Sequence, residues 1–173
     1  KETSLKLISD KKDIEKRELF TQANREAWNE AMPKHQAVKK EYWDEQFKKP
    51  GFSALNQTET EFWEKLGIKG KDIVQLCCNN GVELLSLKNL GAKSCTGFDI
   101  CDEAIKEAND RAELTGIKDC RYIRSNIYEI ESGPMSELYN RFDIAYVTVG
   151  ALIWMPDIDL FFKKASELVK TGG

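Results

Sequence analysis

From Lys71 onward the chain alternates short apolar runs, each closed by a turn, with longer runs of helical period, and this alternation constrains the fold most. Residues 72–78 read as a buried strand and 79–81 as a turn. Residues 82–90 read as a helix with Leu84, Leu85, Leu87 and Leu90 inward, stopped at Gly91. A second strand over 94–98 leads to Asp99. A helix over Asp102–Thr115 turns Ala104, Ile105, Ala108 and Ala112 inward and closes at Gly116. A third strand covers 120–123 and a fourth 142–149, and Pro156 and Asp157 open a last helix that runs to Val169. Strands alternating with helices mean βαβ units and a parallel sheet, so the fold class is α/β. Right-handed crossovers leave few topologies.

Residues 1–66 have a different texture. They are polar, charged and helix-prone, with no strand-like run, and Pro33, Pro50 and Gly51 punctuate them. Thr58 with Glu61 has the spacing of a capping box, ahead of Phe62, Trp63 and Leu66, and Gly67 stands where that helix stops. The segment is too polar to fold alone. We expect it to dock, as a helical lid over 1–66, on a core over 67–173. Trp28, Trp43 and Phe52 are the packing candidates, and His35 reads as a surface residue.

The turn from Cys77 through Cys78, Asn79 and Asn80 to Gly81 occupies the place where open α/β sheets bind ligands, outside the carboxyl end of a strand. Amides at the start of the following helix are expected to face the ligand. Asn79 and Asn80 tolerate left-handed backbone. Asp99 lies 18 residues beyond Gly81, at a strand end expected to be exposed, where an acid can accept hydrogen bonds from ribose hydroxyls. The dinucleotide fingerprint needs three glycines and this turn has one; a Walker loop is absent. The expected ligand is a nucleoside without phosphates.

Here a resemblance becomes specific. Val74 through Gly81 resembles the first motif of class I S-adenosylmethionine-dependent methyltransferases, with Gln75 where an acid is common and Cys77 and Asn79 where glycines are common. Asp99 matches the acid of the second strand. Ser125, Asn126 and Ile127 fall where the family contacts adenine. Phe142 through Asp157 resembles the fourth-strand motif with its active-site loop, and Leu168 through Gly173 a helix-ending motif in which Thr171 replaces the usual Pro. Asn24, Arg25, Trp28 and Asn29 are similar to an N-terminal helix that covers the cofactor in a small-molecule branch.

The resemblance implies a Rossmann-like, doubly wound sheet of order 3-2-1-4. It implies S-adenosyl-L-methionine as cofactor. Asp99 and Ile100 would lie at the ribose and Asn126 and Ile127 at the adenine. The turn with Cys77, Cys78, Asn79 and Gly81 would hold the methionine part, Val149 would line the methyl-transfer edge, and Trp28 would close over the top. No residue is a convincing general base, so no catalytic residue is nominated. The alternatives are a non-catalytic binding or protein-interaction module on the same fold and, less favoured, an NAD-dependent oxidoreductase.

Composition narrows the partners. The net charge of -3 disfavours nucleic acid and favours a small-molecule methyl acceptor. Five cysteines without a C-x-x-C pair, beside a single histidine, give no zinc set, and no apolar run approaches a membrane span. Reduced thiols in a cytoplasmic protein are the expectation. Four strands are fewer than such sheets usually carry. A longer parent protein is therefore expected, with self-association through a bare fourth-strand edge.

Overall fold

A computed structural model describes residues 2–130, 137–148 and 150–173, with side chains from residue 10 onward. Three helices come first: α1 (Glu2–Gln36), α2 (Lys40–Phe47) and α3 (Gln57–Leu66). The alternating part follows: β1 (Asp72–Leu76), α4 (Val82–Asn89), β2 (Ser94–Asp99), α5 (Asp102–Thr115), β3 (Cys120–Arg124), β4 (Ile144–Val147) and α6 (Ile158–Leu168). The strands form one parallel sheet in the order β3-β2-β1-β4, as the alternation and the resemblance imply.

Four local expectations shift. The capping box of α3 is built by Asn56 and Glu59 rather than by Thr58 and Glu61. The Asn56 side chain accepts from the Glu59 amide at 2.9 Å, and the Glu59 carboxylate accepts from the Asn56 amide at 2.9 Å. Asn is as good a cap as any residue and carries the same three-residue spacing to an acid, so the helix begins earlier. The first strand stops at Leu76 because Cys77 turns to φ 56°. Leu90 is the half-buried cap of α4, while Leu84, Leu85 and Leu87 are fully buried. The fourth strand narrows to Ile144–Val147, and its edge is not bare at the start. Phe142 bridges Val169 in parallel, and its carbonyl accepts from the Lys170 amide at 2.9 Å.

β1 lies at the centre and its side chains divide between two cores by the two-residue period of a strand. Ile73 joins Leu84, Leu85, Leu87, Ile105 and Ala108 on one face. Val74 and Leu76 join Phe98, Phe161 and Leu168 on the other. Of the N-terminal helices, α2 and α3 share the first of these cores. Phe47 and Trp63 belong to it, with Trp43 and Phe52 packed alongside, and the Trp63 ring meets Tyr146 edge-on at 4.9 Å. Among the described residues, no helix is long and apolar enough to cross a membrane.

Candidate functional site

The carboxyl ends of the strands, capped by α1, enclose a mostly apolar cavity of about 400 Å³. Its floor is the turn after β1. Cys77, Asn79 and Gly81 all adopt left-handed backbone, with φ of 56°, 50° and 73°. Asn79 was expected to tolerate this; Asn80 does not use it, and Cys77 does. Three of the turn's own amides are engaged within the floor. That of Cys78 donates to the Phe98 carbonyl, that of Asn79 to the Asp99 carboxylate, and that of Gly81 to the Cys78 carbonyl. A tight turn closed by internal bonds holds its own shape, and it offers little to a phosphate.

Asp99 is the hub of this floor. One carboxylate oxygen accepts from the Asn79 amide at 2.8 Å and the other from the Cys101 amide at 2.9 Å. The strand end is therefore engaged and half-buried, contrary to expectation. Burial pushes the Asp99 carboxyl up from its ordinary value, while these amides pull against it. A carboxylate has about four lone-pair sites, so acceptors remain for a vicinal diol. Burial, with the Asp99 charge beside it, pushes the Cys77 thiol up to about 12, so this cysteine is neutral near pH 7.

The ten residues singled out from the sequence fall into three groups here. Trp28, Cys77, Asn79, Asp99, Ile100, Asn126 and Ile127 line the cavity. Cys78 does not: its side chain is buried against Gly97, where a Cβ would lie 2.7 Å from the Cys78 sulfur. Gly81 does not line it either. A Cβ there would lie 2.5 Å from Tyr122 Cζ, and the Tyr122 hydroxyl donates to the Gly81 carbonyl at 2.9 Å. These two support the floor from behind. Val149 lies outside the described residues, though its neighbours Thr148 and Gly150 line the cavity.

Below the floor sits a buried charge cluster that the sequence reading missed. Arg111 of α5 is fully buried and donates to the Asn80 carbonyl at 2.7 Å, to Asp44 of α2 at 2.9 Å and to Glu107 at 2.5 Å. Glu107 in turn accepts from the Asn80 side chain at 3.1 Å. A buried guanidinium demands such partners, but nothing in a single sequence says that an arginine at an ordinary helix position is buried.

The roof is α1. Arg17 pairs with Asp157 at 3.1 Å, Asn24 donates to the Trp154 carbonyl at 2.9 Å, and the Asn126 amide donates to Thr21 at 3.3 Å. Arg25 grips Asp102 through two bonds of 2.8 and 3.0 Å, and Asn29 adds a third at 2.8 Å. Those donors hold the Asp102 carboxyl down at about 2. Trp28 meets Trp154 edge-on at 5.4 Å, closing the cavity from above. Glu83, from the first turn of α4, also lines the cavity and had no signal in the sequence.

Residues 73–173 match the family model of a methyltransferase domain. The chain is 30% identical over 113 residues to the ribosomal protein L11 methyltransferase of Mannheimia succiniciproducens, covering 65% of this chain and 35% of the relative. It spans about a third of the length of the curated relatives it matches. Among solved structures, a SAM-dependent methyltransferase from Aquifex aeolicus superposes with a TM-score of 0.54 at 17% identity, over 64% of this chain and 57% of the other. The [4+2]-cyclase SpnF superposes with a TM-score of 0.65 at 16% identity, over 87% of this chain and 56% of the other.

Proposed function

This chain belongs to the class I S-adenosylmethionine-dependent methyltransferases, and from that membership we propose that its cavity binds the family's cofactor under a lid formed by α1 and serves methyl transfer to a small-molecule acceptor. One observation carries the reading. Among its described lining residues the cavity has two carboxylates, Asp99 and Glu83, and no lysine, arginine or histidine. Such a site favours a cationic ligand and repels a pyrophosphate, which counts against the nicotinamide alternative. The residues present fit a sulfonium nucleoside.

In this reading Asp99, with Ile100 beside it, accepts from the ribose hydroxyls. Asn126 and Ile127 hold the adenine. Cys77 and Asn79 border the methionine part, with Cys78 and Gly81 fixing the turn from behind. Val149 lies at the transfer edge and Trp28 shuts the top. S-adenosylmethionine supplies a methyl group already activated on sulfur. What remains for the protein is to align an acceptor with that methyl and to keep water out. The apolar rim of Ile153, Trp154 and Met155 supports an acceptor with an apolar body. The relative from Mannheimia is named for a protein substrate, and a protein acceptor is the competing outcome. The likeness to a chain named a cyclase favours one second reading, a methyltransferase fold that binds the cofactor without transferring its methyl.

Calorimetry with S-adenosylhomocysteine and NAD tests the site: the sulfur nucleoside should bind at least about tenfold more tightly. Tighter NAD binding would overturn the reading. Incubation of a cell extract with methyl-tritiated cofactor tests the rest. Label in the low-mass fraction supports the small acceptor, label in protein replaces it, and binding without labelling favours the second reading.

A further inference from the structure

We infer that Glu83, held in place by Gln75, binds the α-ammonium of the cofactor's amino-acid portion. The inference rests on the cofactor reading above. Glu83 lies two residues past the turn, in the first turn of α4, and lines the same cavity as Asp99. Its carboxylate accepts from the Gln75 side-chain amide at 2.8 Å. Among the described residues no cationic side chain pairs with it, although most other part-buried acids of the molecule have one: Asp44 has Arg111 and Lys40, Asp157 has Arg17, and Asp72 has Lys93. Burial accordingly pushes the Glu83 carboxyl up from its ordinary value, with the Gln75 bond opposing. A partly buried carboxylate that lacks its cation is completed by a ligand that brings one.

Gln75 sharpens the chemistry. It sits in the central strand with no exposed surface. While its amide nitrogen serves Glu83, its carbonyl oxygen Oε1 is buried with no partner among the described residues. Of the pair only Glu83 reaches the cavity, so Gln75 fixes the carboxylate from behind and Glu83 presents the acceptors that want N–H donors. This tells the two positive centres of the cofactor apart. A sulfonium carries three carbons and no N–H, whereas an ammonium carries three donors. Asp99 stands at the end of β2 and Glu83 beyond the end of β1. A ligand with its ribose on Asp99 would extend its amino-acid arm toward Glu83.

Three ligands separate the possibilities: S-adenosylhomocysteine, its deaminated analogue, and 5′-methylthioadenosine, which lacks the whole amino-acid arm. The wild type should prefer S-adenosylhomocysteine over the deaminated analogue by about tenfold or more, the size of a charge-assisted bond. Glu83→Gln should collapse that preference and leave 5′-methylthioadenosine within about twofold of wild type. Gln75→Leu should weaken the preference less and in the same direction. A preference unchanged in Glu83→Gln, or an equal loss for 5′-methylthioadenosine, would overturn the assignment. A wild type that binds the sulfur nucleosides with no regard for the amine defeats the ammonium role alone. One that binds none of the three defeats the cofactor reading with it. The preference is a ratio within one variant, so it remains readable if the variant is less stable.

Discussion

The central strand β1 and the roof helix α1 are held to the molecule by different physics. Ile73, Val74, Gln75 and Leu76 have no exposed surface, and β1 is flanked by hydrogen-bonded neighbours on both sides. Along α1, from residue 10 onward, only Thr21 and Met32 are buried. The inward stripe Arg17, Thr21, Asn24, Arg25, Trp28, Asn29 and Met32 has helical spacing, yet most of its members are polar. Apolar burial makes the sheet a fixed platform. Ion pairs and single hydrogen bonds make α1 an attachment that depends on salt and pH.

Arg111→Met breaks this contrast hardest, because Arg111 ties α2 of the N-terminal segment to the floor of the cavity. It strands Glu107 in the interior without its cation and leaves Asp44 with Lys40 alone, so a loss of about 3–5 kcal/mol is expected in urea unfolding. A loss under about 1 kcal/mol, the range of exposed pairs, would place α2 with α1 as a loose attachment. Gly81→Val comes next. It forces a β-branched residue into left-handed backbone and drives its Cβ into Tyr122, for about 2–4 kcal/mol of stability. Asp99→Ala sharpens the contrast at the site itself. Removing the acceptor of two amides should cost about 1–3 kcal/mol in stability and a similar amount in S-adenosylhomocysteine binding. An effect on binding alone would mean that the turn holds its shape without that carboxylate.

The smallest effect is expected in the roof. Arg25→Ala removes a bidentate pair whose partners are 35% and 42% exposed, so solvent screening limits the loss to about 0.5–1 kcal/mol. Limited proteolysis should reach α1 faster while the melting of the sheet stays put; a shift of that melting would join α1 to the core. Acid offers a second handle. The Asp102 carboxyl is held at about 2, below an unfolded value of about 3.9. Its contribution is present above the unfolded value and is lost as pH falls through about 2. Tryptophan fluorescence from Trp28 and Trp154 should report the loosening there.

The same division explains what could be read without coordinates. The sheet announced itself because Leu84, Leu85, Leu87, Ala104 and Ala108 repeat with helical period between apolar strands, and because Gly67, Gly91 and Gly116 stand at helix ends. Asp99, Asn126 and Ile127 were legible by resemblance, and the cavity brings them together. Cys78 and Gly81 were placed in the right turn but on the wrong side of it. Sequence gives a turn's position, and only packing against Gly97 and Tyr122 says which way its members face. Glu83 and Arg111 were silent because polar residues at unremarkable spacings do not reveal burial, and Gln75 stood out only as a departure from the family's acid. The docking face of α1 was silent for the same reason.

The roof's fastening also has a kinetic meaning. Arg17, Thr21, Asn24 and Arg25 are spaced along two turns of one helix, and they grip four separate partners: Asp157, Asn126, Trp154 and Asp102. No single tie is strong. Such a seam does not spring open at one catch but peels, each broken bond easing the next. Two of its four grips are ionic, so added salt shortens the time a captive molecule stays beneath the helix before it changes how firmly the floor would hold that molecule.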